Sequence, residues 1–190
     1  MVNSKVQNLK SPSLTTTTLA MVKIARPIHW VKNLSLFAAL IFSGNLFSGF
    51  ILERLTLAFI AFSLATSATY IFNDVLDRKS DRLHPIKKNR PVAKEDLPVF
   101  FAIFELVILA FISLHVAGGL GRLFFLSVAA YLILQALYSL GLKNLSTLDI
   151  LMIAAGFIIR VYAGAFVINA HLSVWFLLCV ISIALFLASG

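Results

Sequence analysis

Asn73, Asp77 and Asp81 recur every fourth residue at the end of a long apolar run. On a helix such positions fall about 40° apart and rise about 6 Å per step, so three oxygen-bearing side chains share one face. That arrangement suits one or two hard cations gripping a diphosphate. Mg2+ takes oxygen ligands, keeps waters, and is usually shared between one or two carboxylates and substrate phosphates. Asn73, Asp77 and Asp81 are therefore candidate Mg2+ ligands, with Asp77 and Asp81 as catalytic carboxylates. A solvated helix end in which acids merely intersperse with lysines is the alternative. Against it, Asn73 and Asp77 follow the apolar run Ala68–Phe72 directly, and polar groups at such depth are costly. Asp74 lies about 100° off the shared face and reads as a supporting ligand or a capping charge.

Basic residues follow at once. Pro85 and Pro91 bracket a loop carrying Lys87, Lys88 and Arg90. Arginine and lysine neutralise a departing diphosphate, so this loop reads as a phosphate lid; a loop that only sets membrane topology would look similar. Arg90 is the firmest of the three, being constrained by the proline after it. His84 reads as a residue that shapes the loop. Near the N-terminus, Trp30 suits a membrane interface, and Lys32 and Asn33 follow it. Tyr138 and Lys143 close a later apolar segment, and Asp149 opens the next one. The expected phosphate-binding set is Lys32, Lys87, Arg90, Tyr138 and Lys143, with Lys32 also contributing to catalysis. Arg160 lies about 16 Å beyond Asp149 along a helix, near mid-membrane. Gly156 and Gly164 flank it by one turn each, which permits close helix approach. A structural ion pair with Glu105 is expected there.

The elements that must position these residues are membrane helices. Of 190 residues, 60% are hydrophobic, against about 45–50% in ordinary soluble domains, and the mean hydropathy is +0.95. Several runs approach the roughly 20 residues that span a bilayer. The fold class is an all-α polytopic membrane protein with about six apolar segments, near 30–50, 54–77, 98–117, 122–141, 147–169 and 172–189. Pro27 opens the first, the X-Pro pairs at 84–85 and 90–91 end the second, and Gly118, Gly119 and Gly121 mark a turn. Residues 1–20 lack the apolar core of a cleavable signal peptide and read as a flexible cytoplasmic tail, leaving 21–190 as the transmembrane domain. Residues 172–189 stay apolar to the end, which suggests a chain short of further helices.

The net charge of +8 needs no nucleic acid to explain it. With the N-terminus on one side, that side collects 13 of the 16 Lys and Arg, the other keeps only Arg54 and Arg122, and Arg160 sits within a helix. The positive-inside rule then places the tail, the 78–97 loop, the 142–146 loop and the aspartate segment in the cytoplasm. Cys179, the one cysteine, excludes an intrachain disulfide.

Together these residues resemble the UbiA superfamily of intramembrane prenyltransferases. Asn73-Asp74-x-x-Asp77-x-x-x-Asp81 is similar to its first aspartate-rich motif. Within it the likeness is closest to the decaprenyl-phosphate phosphoribosyltransferases, through Arg26-Pro27-x-x-Trp30-Val31-Lys32-Asn33, Asp81-Arg82-x-His84-Pro85-x-Lys87, Tyr138-Ser139-x-x-Leu142-Lys143 and Gly156-Phe157-x-x-Arg160. The resemblance implies about nine helices around a cavity open to lipid and the cytoplasmic side of a bacterial-type cell membrane. It implies a second polar motif in the C-terminal half, which would follow a helix like 172–189. The implied reaction is Mg2+-dependent transfer of 5-phosphoribose from phosphoribosyl pyrophosphate to a polyprenyl (decaprenyl) phosphate, releasing pyrophosphate. Two alternatives stay open: an aromatic prenyltransferase with a polyprenyl diphosphate donor, and a non-catalytic membrane subunit or transporter fragment.

Overall fold

A computed structural model describes residues 14–43, 48–142 and 146–189. Among the described residues, seven α-helices and two 3-10 segments occur in the order α1 (Leu14–Ala25), a 3-10 segment (Pro27–Phe37), α2 (Ala38–Phe42), α3 (Gly49–Leu83), a 3-10 turn (Lys87–Asn89), α4 (Val99–Leu120), α5 (Arg122–Leu140), α6 (Ser146–Val167) and α7 (Val174–Ser189). Four helices among the described residues are long and apolar enough to cross a membrane, and α7 holds a shorter apolar stretch, Val174–Phe186.

The expected count of about six segments changes at the N-terminal end. The segment near 30–50 is not one helix: Pro27–Phe37 winds as 3-10 and passes into the five-residue α2. The reason lies in a period of three. Trp30 is half-buried, and Asn33, Leu36 and Ala39 are buried. A 3-10 helix stacks residues i and i+3 in one line, so this winding points all four into the bundle. Pro27 does open the segment. Helix α1 begins at Leu14, inside the stretch expected to be a tail, because Ala20 and Ile24 bury against Ile71, Val92 and Leu97. Residues 1–13 lie outside the described residues.

Helix α3 is the axis of the bundle. It touches α1, the first 3-10 segment, α4, α5 and α6. Its buried face is rich in small residues, including Ala58, Ala61, Ala65 and Ala68, which let neighbouring helices approach closely where lipid removes the hydrophobic drive to associate. Larger side chains fill the centre: Leu36, Leu55, Phe62, Phe124, Val128 and Tyr131 form one core cluster. At 35 residues, α3 is about 52 Å long. That exceeds the roughly 30 Å hydrocarbon core, so the polar Asn73–Leu83 end can emerge from it. His84 caps the helix in an extended conformation, as the following proline requires. Gly118 and Gly119 continue α4, and the turn falls on Gly121 alone, at φ 134°.

Helix α4 presents an exposed apolar side. Phe100, Phe101, Phe104 and Phe111 are exposed, whereas only Ala102, Ser113, Ala117 and Leu120 are buried.

Candidate active site

The last turns of α3, the loop after it and the end of α5 enclose a cavity of about 670 Å3. Asn73, Asp77 and Asp81 all line it, as their spacing predicts. Arg26, Lys87, Arg90 and Tyr138 line it too, together with Tyr70 and Gln135. Carboxylates and guanidinium groups therefore meet in one polar space at one end of an apolar bundle.

The electrostatic centre is Asp74, which is 1% exposed. Arg26 donates to Asp74 Oδ1 at 2.6 Å, and Arg90 Nη1 lies 3.1 Å from the same oxygen. The same Arg90 nitrogen donates to Asp81 Oδ2 at 2.7 Å. Asp74 is thus engaged by two guanidinium groups. It is an ion-pair hub that ties the N-terminal segment and the basic loop to α3. Its other oxygen, Oδ2, is buried without a hydrogen-bond partner among the described residues. Replacing Asp74 by Asn keeps the shape and removes the charge that both arginines face. The expected cost is about 2 kcal/mol, read as a lower unfolding midpoint in detergent; an unchanged midpoint would show that the hub contributes nothing to stability.

Arg26 has φ 50° and ψ 57°, left-handed and immediately before Pro27. Non-glycine residues rarely adopt that conformation, and a following proline disfavours it further. The contacts that hold it are the Asp74 ion pair and the face of Tyr70, 5.0 Å from the guanidinium carbon. Next to it, His29 is held below the ordinary histidine range by partial burial, Lys32 and Arg26.

The loop after α3 is folded back rather than free. Arg82 donates to the Ala93 carbonyl at 3.1 Å and pairs with Glu95 at 2.6 Å, while Val92 and Leu97 are buried. His84 Nδ1 accepts from the backbone N–H groups of Ile86 and Lys87 at 3.2 and 3.3 Å, so it shapes the turn that carries Lys87. Lys88 is exposed and outside the cavity lining.

Two expectations are displaced. Arg160 does not pair with Glu105. Its Nε donates to Asn33 Oδ1, one Nη to the Gly156 carbonyl and the other to the Tyr131 hydroxyl, each at 2.8 Å. The 3-10 winding brings Asn33 to α6, where an amide oxygen replaces the expected carboxylate; Glu105 Oε2 is buried without a hydrogen-bond partner among the described residues. Lys32 lines a second cavity rather than the one holding the aspartates. Tyr138 lines both cavities and donates to Asp149 at 2.9 Å. Lys143 lies outside the described residues.

Arg26, Tyr70 and Gln135 are site residues that residue type and spacing did not single out. Arg26 begins the Arg26-Pro27-x-x-Trp30 motif, but its partner Asp74 is 48 positions away.

Among the described residues, no three His, Cys, Asp or Glu side chains are placed to hold a metal by themselves. The donor set fits an Mg2+ of the kind that keeps its waters and borrows ligands from a phosphate: Asn73, Asp77 and Asp81 all line the cavity, with Asp81 paired to Arg90.

A bundle of long apolar helices with a carboxylate- and arginine-lined cavity at one end defines an integral membrane protein with a polar site built into it. The chain belongs to the UbiA prenyltransferase family, whose model matches residues 30–189. It is 36% identical over 176 residues to the decaprenyl-phosphate phosphoribosyltransferase of Mycolicibacterium smegmatis, covering 90% of this chain and 55% of that protein. Against the protein of the same name from Mycobacterium tuberculosis it is 36% identical, covering 90% and 58%. The chain thus spans little more than half the length of these curated relatives. A UbiA homolog from Archaeoglobus fulgidus bound to GPP and Mg2+ shares the fold, with a TM-score of 0.72 at 21% identity over 87% of this chain and 60% of that one.

Proposed function

We propose that this chain carries a phosphoribosyl-transfer site that moves 5-phosphoribose from phosphoribosyl pyrophosphate to a polyprenyl phosphate. The observation behind this reading is the first cavity, where the Asn73, Asp77 and Asp81 face meets Arg26, Lys87 and Arg90. The names of the 36%-identical relatives support the choice of sugar donor and lipid acceptor.

Asn73 and Asp77, with Asp81, would hold Mg2+, which when bound neutralises phosphate charge and favours departure of the diphosphate. Arg26, Lys87 and Arg90 bind the diphosphate oxygens directly. Arg90 exchanges its bond to Asp81 for one to phosphate, so the carboxylate becomes available as the donor arrives. An oxygen of the lipid phosphate attacks the anomeric carbon of the ribose. The bond from that carbon to the pyrophosphate oxygen breaks, and pyrophosphate leaves with the electron pair. The acceptor is already anionic and needs no strong general base. The apolar helices limit water, which would otherwise hydrolyse the donor. The excess of Lys and Arg at this end of the bundle supports a cytoplasmic orientation for the site and the N-terminus.

A second reading is favoured by the GPP bound to the structural neighbour: a prenyl diphosphate donor and an aromatic acceptor, using the same carboxylates to expel pyrophosphate. Labelled phosphoribosyl pyrophosphate, offered with polyprenyl phosphate to the full chain in nanodiscs, is expected to yield a labelled lipid. Absence of that product, where a prenyl diphosphate and an aromatic acid do react, would select the second reading.

A further inference from the structure

A third cavity, of about 380 Å3, adjoins the first at the same end of the bundle and shares Arg26, Lys87 and Arg90 with it. Three segments build it. Lys23 comes from α1, Arg26 and His29 from the start of the first 3-10 segment, and Lys87 and Arg90 from the loop after α3. Asp74 is the one carboxylate in its described lining, and Arg26 and Arg90 already share it. No carboxylate pairs with Lys23 or Lys87 among the described residues. Four cations against one carboxylate leave this cavity positive, so the ligand that suits it is an anion.

The chain neighbours of the lining residues point to the source of that anion. Val22, Ile28 and Ile86 are 62%, 81% and 75% exposed. Each immediately precedes a polar lining residue: Lys23, His29 or Lys87. Leu19 in α1 and Leu83 at the end of α3 are exposed as well. Exposed apolar side chains beside lysines mark segments that lie in the membrane interface, the apolar groups at the acyl boundary and the cations among the headgroups. The depth agrees, because Asp74 belongs to the polar end of α3 that the length of this helix carries out of the hydrocarbon core. Only Ile86 and Pro91 are apolar in the described lining. The cavity therefore suits a charged head alone, with its acyl chains left in the bilayer.

We propose that the third cavity binds the headgroup of an anionic phospholipid of the surrounding membrane, with Lys23 and Lys87 contacting its phosphate diester. This site lies beyond the transfer reading and does not depend on it. Arg26, Lys87 and Arg90 also line the first cavity, so Lys23, which lines only this one, is the residue to change.

The full chain, purified in a neutral detergent and offered equal amounts of phosphatidylglycerol and phosphatidylcholine with matched acyl chains, is read by native mass spectrometry for bound lipid. The wild type is expected to retain phosphatidylglycerol over phosphatidylcholine by at least about tenfold. Lys23→Gln is expected to cut that preference about fivefold, the worth of one lysine near an anionic headgroup, and Lys23→Glu to abolish it. Lys88→Gln removes a nearby exposed cation outside the lining and is expected to leave the preference near wild type. Equal losses from Lys23→Gln and Lys88→Gln would reveal diffuse attraction to a basic surface and overturn the site, as would a wild type without a preference. Glycerol 3-phosphate is expected to displace little of the lipid; displacement at equal concentration would hand the cavity to soluble phosphate esters and overturn the proposal. Should a Lys23 variant unfold, the wild-type preference and its resistance to glycerol 3-phosphate decide. Ribose transfer without a phosphatidylglycerol preference would sink this site alone, and the preference without transfer would sink the transfer reading alone.

Discussion

Replacing Asp77 by alanine is expected to lower Mg2+-dependent pyrophosphate release by about 10²–10³-fold while leaving the unfolding midpoint close to wild type. The asymmetry between Asp77 and its neighbours is the reason. Asp74 is buried in ion pairs to Arg26 and Arg90, and Asp81 is paired with Arg90. Asp77 is only half-buried and faces the cavity. Asp77 thus lines the cavity that a substrate would enter, whereas the Asp74 charge is held by Arg26 and Arg90. A pyrophosphate-release assay across an Mg2+ titration, run beside a thermal melt, separates the two roles. Wild-type release from Asp77→Ala would refute the metal assignment. Loss of the fold in Asp77→Ala, with Asp74→Asn unaffected, would reverse the roles given to the two residues.

Gly164→Ala is expected to destabilise the bundle by about 3 kcal/mol, enough to disorder the contact between α6 and the first 3-10 segment. A Cβ at this position would overlap the Leu36 carbonyl oxygen and come within 2.7 and 2.9 Å of the Leu36 carbonyl carbon and Cα. Those are backbone atoms, so no side-chain rotation relieves the overlap. Leu36 is fully buried, and moving its backbone would also shift Asn33, one 3-10 turn earlier, which holds Arg160. Gly118 in α4 is the control: a Cβ there meets nothing within 4 Å. Gly118→Ala is expected to be neutral or to stabilise by about 0.5–1 kcal/mol, because alanine costs less conformational entropy in a helix. Thermal melts in one detergent compare the pair. Equal midpoints for the two variants would show that the approach of α6 to Leu36 is not tight.

Much of this was legible without a structure. The long apolar runs, the helical spacing of Asn73, Asp77 and Asp81, and the prolines that stop α3 are local properties of adjacent residues. Periodicity and ring closure are local constraints, so residue type and spacing expose them. The first segment was misjudged because its apolar content resembles a membrane helix. Its period of three becomes meaningful only once α3 and α6 are present for Trp30, Asn33 and Leu36 to pack against. The expected Arg160–Glu105 pair failed for a similar reason. Opposite charges are visible in a sequence, but a neutral amide brought from 127 positions away is not.

The sequence by itself determined that this is a helical membrane protein with a row of oxygen-bearing side chains on one face at one helix end, since hydropathy and spacing are written residue by residue. Only the tertiary structure decided how the charges divide. Asp74 faces two arginines inside the protein, Asp77 faces the cavity, and Lys32 and Arg160 share a separate cavity whose described lining has no carboxylate. That division follows from which distant segments pack against each face of α3, and long-range packing has no signature in the spacing of neighbouring residues.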